Sequence, residues 1–272
     1  MEGNDRSVRF LFGTVPGRAI LKIIKKTHMD RIAVKYLRSP LSKPYMKRFA
    51  AKNGLAADLS GLKSYRTYRD FFLRDKPGLD IDMDPVHLIS PCDSWLSAFR
   101  IEGDSAFKVK GSYYSLSDLM GEGDLSKRFA GGDCLIFRLC PDDYHHYCYI
   151  DNGFKNKNHF IEGELNSVQP IAQENFRVYT LNRRSWCLME TENFGPVVQT
   201  EVGAIIVGGI VNLIDEGPVK RGEEKGYFDL MGSTIVLFFE KDRIRLKEDI
   251  IEKLKKEPEV RVSIGKHIGY RV

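Results

Sequence analysis

The 272-residue chain has no apolar run of about 18 residues or more, which excludes a helix that crosses a bilayer. It has no C-x-x-C pair. Its five cysteines (Cys92, Cys134, Cys140, Cys148, Cys187) are odd in number and scattered, which argues against a zinc site and a disulfide framework and for reduced thiols in a cytosolic protein. Residues 1–10 are polar and charged and lack the apolar segment and small-residue cleavage site of a signal peptide, so no secretion signal is expected. There is no internal repeat, no low-complexity linker and no nucleic-acid-binding motif. A solenoid is therefore excluded, and nucleic acid is not expected as a partner.

What is present begins with an uneven charge. The net charge is +5, yet residues 1–52 hold 13 Lys and Arg against 3 acids, while the rest holds 29 against 34. A basic arm on an acidic body suits a polyanionic partner. Ile20, Leu21, Ile23, Ile24, Ile32, Val34, Tyr36 and Leu37 interleave with the lysines at roughly helical spacing, and Phe10, Leu11 and Phe12 precede them. Basic amphipathic helices of this kind lie in a membrane interface, where each cation near an anionic leaflet contributes roughly 1 kcal/mol. The plainer alternative is a helix packed on its own domain with a solvated basic side. The membrane reading makes residues 1–52 an appendage whose removal should spare the chemistry of the body.

The pattern is helical first and then mostly strands. Residues 15–52 read as two or three helices broken near Ser39-Pro40 and Lys43-Pro44, with a stop at Lys52-Asn53-Gly54. Short helices are expected at Tyr65–Leu73, Ser115–Met120 and Lys247–Lys256. Apolar runs between turn residues predict strands at Trp95–Ile101, Cys134–Cys140, Tyr147–Ile150, Phe176–Leu181, Val197–Ile214, Thr234–Glu240 and Val260–Ile264. The expected class is α+β, with a basic helical segment over 1–60 and a mainly antiparallel β-rich domain over 61–272.

Three features of the body could carry chemistry. Ser90-Pro91-Cys92-Asp93-Ser94 sets a carboxylate at a turn after proline, where it could orient a histidine; turn aspartates more often bond their own backbone. Pro141-Asp142-Asp143-Tyr144-His145-His146-Tyr147-Cys148 suits a helical turn, which would place His145 and Cys148 on one face; paired surface histidines are also common without function. Met231-Gly232-Ser233-Thr234 leads into Ile235-Val236-Leu237-Phe238-Phe239. Taken alone it reads as a turn into a core strand. A serine hydroxyl there could also attack the preceding carbonyl and turn amide into ester; elimination gives dehydroalanine, and hydrolysis gives a pyruvoyl group.

Together these stretches resemble the phosphatidylserine decarboxylases, self-processing pyruvoyl enzymes, and specifically the bacterial ones. Gly232-Ser233-Thr234 resembles the family's cleavage site, with Met231 where leucine is usual. Asp143-Tyr144-His145 resembles its Asp-Tyr-His, and Pro91-Cys92-Asp93 its Pro-x-Asp-Gly, with Ser94 for the glycine. Tyr68-Arg69-Asp70-Phe71-Phe72-Leu73-Arg74, Lys110–Leu116, Asn166-Ser167-Val168, Asn182-Arg183 and Phe194-Gly195-Pro196 with Val202-Gly203-Ala204 follow in the family's order.

The resemblance implies decarboxylation of phosphatidylserine to phosphatidylethanolamine and CO2, through a Schiff base to a pyruvoyl group made from Ser233. It implies a cut between Gly232 and Ser233 into a β chain, 1–232, and an α chain, 233–272, with Asp93 orienting a histidine that deprotonates Ser233. The expected partners are phosphatidylserine, an anionic membrane surface at the cytoplasmic face of the cell membrane, where the protein would be peripheral, and a second copy of the chain in a homodimer. One departure matters: where the family carries a second histidine this chain has Cys148. His145 alone, His146 turned inward, or Cys148 as a thiolate could fill the gap; a thiol in an apolar site stays protonated, which favours His145. Two other readings stay open, a pyruvoyl decarboxylase of a soluble amino acid and an unprocessed lipid-binding relative.

Overall fold

The computed structural model describes residues 10, 14, 16–17, 29–55, 64–102, 106–109, 112–121, 123–163, 180, 182–203, 209–230 and 233–272. Among the described residues three N-terminal helices have defined bounds, α1 (Met29–Leu37), α2 (Lys43–Lys52) and α3 (Tyr68–Phe72). A short 3-10 turn, Pro40–Ser42, separates α1 from α2, as the two prolines foretell. Helix α3 starts with a capping box: Thr67 accepts from the Asp70 amide and the Asp70 side chain accepts from the Thr67 amide. Most of the Ile-rich stretch of the basic arm, including Ile20 to Ile24, lies outside the described residues.

These helices share one apolar cluster of Val34, Leu37, Met46, Ala50, Tyr68, Phe71 and Phe72, and it reaches into the body through Leu230. Helices α1 and α2 thus share a buried cluster with a residue of the body, which bears on the expectation that removing 1–52 spares the body's chemistry. Four of the seven residues clustered with Leu230 lie in α1 and α2.

The body is antiparallel throughout the described strands. A large sheet places Ser233–Phe239 at its centre, between Gly195–Val202 on one side and Asp133–Leu139 on the other. Ser94–Arg100 and Val260–Val262 continue it outward past Asp133–Leu139; Arg184–Thr191, Gly153–Lys155 and Gly217–Val219 continue it past Gly195–Val202. All seven residues of Ser233–Phe239 are buried, because both faces of the sheet are covered. Ile235, Leu237 and Phe239 enter the larger core; Val236 and Phe238 enter a second core on the opposite face. Over the larger core lies a small sheet of Gly209–Asn212, Glu224–Asp229 and His146–Cys148.

Two differences from the sequence reading bear on the site. The apolar stretch Val197–Ile214 is two strands, with 204–208 outside the described residues between them. Phe176–Leu181 lies almost wholly outside the described residues. The turn after Pro141 does not continue as a helix. It closes by the Asp143 amide bonding Cys140 O at 3.0 Å, and the chain then enters the strand His146–Cys148, which pairs with Glu224–Asp229. Residues three apart in an extended chain point to opposite sides, so His145 and Cys148 do not share a face. Inter-strand hydrogen bonding has overridden the local helical signal of the Pro-Asp-Asp start.

Candidate active site

Ser233 is the first residue of its strand and pairs with Leu139. Its side chain is fully buried, and its hydroxyl has no hydrogen-bond partner among the described residues. A buried hydroxyl without a partner is unfavourable by about 1–3 kcal/mol, so this one is held by its strand rather than by its own bonding. Gly232, the other half of the expected cleavage site, and Met231 lie outside the described residues.

His145 is fully buried as well. Its Nδ1 lies 2.9 Å from the carbonyl oxygen of Asp143. A carbonyl only accepts, so Nδ1 carries the hydrogen and Nε2 keeps a free lone pair. Nε2 is buried and bonded to nothing. Burial pushes the imidazole down to about 3, so at neutral pH it is an uncharged base. The Phe228 amide bonds His145 O at 3.0 Å, which fixes this residue beside the strand Glu224–Asp229.

Asp93 is bonded to no histidine. One carboxylate oxygen accepts from the Ile264 amide at 2.9 Å and the other from Lys76 Nζ at 2.5 Å. Cys148 lies next to this turn: its amide bonds Pro91 O at 2.9 Å. Its thiol is fully buried and pushed up to about 12 by that burial, so it is neutral. His146 faces elsewhere. Its Nδ1 is 2.7 Å from Glu224 Oε1, its Nε2 is 3.4 Å from Leu73 O, and its ring stacks on Tyr144. The structure brings Cys148 to the turn that carries Asp93, and no hydrogen bond among the described residues links Asp93, His145 and Ser233.

Several groups at the site escaped the sequence reading. Arg74, at the end of the Tyr68–Arg74 motif, donates to the carbonyls of Asp142 and Asp143, bracing the residues that hold His145. Arg261 pairs with the Asp143 carboxylate, whose other oxygen accepts from the Cys140 amide at 2.6 Å. A wholly buried ion pair, Lys225 Nζ to Glu201 Oε1 at 2.7 Å, lies under the same face of the sheet as Ser233; Asn212 and Gln199 complete it. No periodicity announces such contacts, since each joins residues far apart in sequence.

Comparison with known proteins decides the family. A family model described as phosphatidylserine decarboxylase matches residues 69–270. Phosphatidylserine decarboxylase proenzyme 2 of Clostridium acetobutylicum is 37% identical over 265 residues, covering 96% of this chain and 91% of that protein. The chain belongs to the phosphatidylserine decarboxylase family. The proenzymes of Clostridium perfringens strain SM101 (37% over 272 residues, 97% of this chain and 92% of the relative) and Desulfitobacterium hafniense strain Y51 (34% over 275 residues, 98% and 92%) are similar along the same span. As a member of a decarboxylase family the chain is an enzyme, a carboxy-lyase.

Among the described residues one further cluster, Asp82, His87 and His267, could offer three ligand atoms to a metal. Its geometry is poor for that. The two imidazoles stack at 3.7 Å with planes 10° apart, so their nitrogen lone pairs run in parallel planes, and His87 Nδ1 already donates to Asp82 at 2.8 Å. No helix among the described residues is long and apolar enough to cross a membrane.

Proposed function

We propose that this chain cuts itself between Gly232 and Ser233 and then decarboxylates phosphatidylserine to phosphatidylethanolamine. The observation that carries the reading is that the Ser233 hydroxyl and His145 Nε2 are both buried with no hydrogen-bond partner among the described residues, and that His145 leads into the small sheet that lies over the core entered by the Ser233 strand. A neutral imidazole with a free nitrogen can take the hydroxyl proton as the oxygen attacks the Gly232 carbonyl. The amide becomes an ester, elimination frees the β chain 1–232 as a carboxylate and leaves dehydroalanine at 233, and water then hydrolyses that residue, releasing ammonia, so that the α chain 233–272 begins with a pyruvoyl group. The residues fit that group. A serine at a buried strand head converts in place without recruiting a separate cofactor.

The pyruvoyl ketone supplies an electron sink for the carbon that loses CO2. The chain's own residues do the rest. His145 would take up a proton at Nε2 and pass it to that carbon. Asp93 and Lys76 fix the turn against which Cys148 lies, and burial of the strand head excludes water from competing for the proton. The catalytic set of this reading is Asp93, His145 and Ser233, with Cys148 a neutral neighbour.

The basic arm suits a peripheral site on the cytoplasmic face of an anionic membrane, where the substrate resides. A division into a membrane-associating segment, 1–60, and a catalytic domain, 61–272, follows from that reading. The decisive experiment is a denaturing gel with intact mass, on wild type and Ser233→Ala. Two chains from wild type and one uncut, inactive chain from the variant support the proposal; a full-length wild-type chain that is active defeats it. A substrate panel with soluble amino acids beside phosphatidylserine vesicles tests the substrate.

A further inference from the structure

The N-terminal helices grip the chain just ahead of the expected cut. Asp229, the last residue of its strand, has a nearly buried carboxylate. One oxygen accepts from Arg38 Nη2 at 2.7 Å and the other from Arg69 Nε at 2.8 Å. Arg38 follows α1 and Arg69 belongs to α3. The next residue, Leu230, has φ 62°, in the left-handed region that a leucine rarely adopts. Its side chain is buried among Leu37, Met46, Tyr68 and Phe72. Gly209 pairs with Asp229, and a Cβ at 209 would meet Asp229 Cβ at 2.9 Å, so the neighbouring strand leaves Asp229 just enough room.

On the far side of the bond, Ser233 is fixed in the central sheet. The chain is thus pinned at Leu230 and again at Ser233, with two residues between. The same helical block touches the other members of the site: the Phe72 ring lies 4.0 Å from that of His145, and Lys76, four residues past α3, holds Asp93.

An ion pair between a helix and a strand is ordinarily a fold contact. Two features set this one apart. Two guanidiniums converge on one carboxylate, and the residue after it is held in an unfavourable backbone conformation. Such strain persists where surrounding contacts over-determine it, and it gathers at functional sites.

We propose that Arg38, Arg69 and Leu230 are positioning residues for self-cleavage, holding the approach to the Gly232–Ser233 bond so that the serine hydroxyl meets the Gly232 carbonyl. The inference rests on the reading that Ser233 cuts the chain. In that step a bond forms from Ser233 Oγ to the Gly232 carbonyl carbon, the carbon–nitrogen bond breaks, and the hydroxyl proton ends on the freed amine of Ser233. The clamp makes and breaks no bond. It sets the geometry, and misplacement of about 1 Å can slow a reaction about 100-fold.

The test follows the uncut chain over time after cell-free synthesis, for wild type, Ser233→Ala, Asp229→Asn, the double variant Arg38→Ala/Arg69→Ala, and Arg69→Lys. Asp229→Asn and the double variant should slow cutting roughly 10- to 100-fold. Once cut, they should turn over at the wild-type kcat, because the clamp precedes the bond that is gone. Arg69→Lys keeps the charge and should recover part of the rate. Melting of each variant in the Ser233→Ala background, where nothing can cut, separates positioning from folding. Clamp variants that cut as fast as wild type overturn the inference, as does a slowing matched by equal losses in kcat and melting temperature. A wild-type chain that never cuts removes the underlying reading, and the inference with it; a cutting wild type beside equally fast variants defeats the inference alone.

Discussion

Phe72 lies against His145, ring centroids 4.0 Å apart and planes inclined by 33°. That contact joins α3 to the candidate base and supplies part of the burial that pushes the imidazole down to about 3. With Nδ1 spent on the Asp143 carbonyl, the ring is neutral with its free nitrogen enclosed.

The first prediction is the pH profile of self-cleavage. If His145 is the base, the cutting rate should be nearly level from pH 9 down to pH 6, since the group is deprotonated throughout. If Cys148 were the base, the rate should climb about tenfold per pH unit across that range, because its thiol is pushed up to about 12. Quenched time courses over pH 6–9 distinguish the two.

The second concerns stability in acid. His145 titrates near 6.5 in the unfolded chain and at about 3 in the folded one. Between those values the unfolded state binds one more proton, so stability falls as pH falls below 6.5. The slope from this group alone is about 1.4 kcal/mol per pH unit, down to about pH 3. Denaturant melts of Ser233→Ala at pH 7 and pH 5 should show the loss, and His145→Gln should flatten it.

Replacing the two candidates directly gives a third. His145→Ala should slow cutting by about 10²–10⁴, the usual contribution of a general base. Cys148→Ser should change it little, because a neutral hydroxyl replaces a neutral thiol. A Cys148→Ser chain that stays whole beside a His145→Ala chain that cuts normally would reverse the assignment.

The buried pair Glu201–Lys225 yields a fourth. Lys225→Met leaves Glu201 without its cation inside the core and should destabilise the protein by about 3–5 kcal/mol. Glu201→Gln together with Lys225→Met should lose much less, because neither charge remains. Chemical melts of the two variants measure the difference.

A fifth separates membrane contact from the clamp. Deleting residues 1–28 removes much of the basic arm and stops short of α1 and Arg38. Binding to anionic vesicles should weaken while cutting continues. Deleting 1–52 should slow cutting as well, since Arg38 goes with it, as do Val34, Leu37, Met46 and Ala50 of the cluster around Leu230. Vesicle sedimentation and gel time courses on both truncations test this.

Much of this architecture was legible beforehand because it is local. Pro40 and Pro44 break helices by chemistry that acts over one turn, and alternating or continuous apolar runs mark strands such as Ser94–Arg100 and Ser233–Phe239. Short strands such as His87–Ile89 and Gly153–Lys155 were not, since three residues carry too little pattern. The helical placing of His145 and Cys148 failed because pairing with Glu224–Asp229 outweighs a local start signal. At the site, Ser233 and Asp93 stand out through their neighbours in sequence. Lys76, Arg74 and Asp229 act through partners that only folding brings near.

The central place of Ser233–Phe239 has a consequence for the life of the molecule. The 40 residues from 233 onward thread the sheet between strands that belong to 1–232, return to its edge as Val260–Val262 against Ser94–Arg100, and join a separate small sheet as His267–Arg271 against His87–Ile89. If the chain is cut, the fragments are interwoven rather than docked, and no surface exists across which they could part and rejoin. Maturation is then a ratchet. The uncut chain must finish its sheet first, and a matured molecule once unfolded has lost the covalent link that made its strands neighbours, so heat should inactivate it without return while the uncut Ser233→Ala chain refolds.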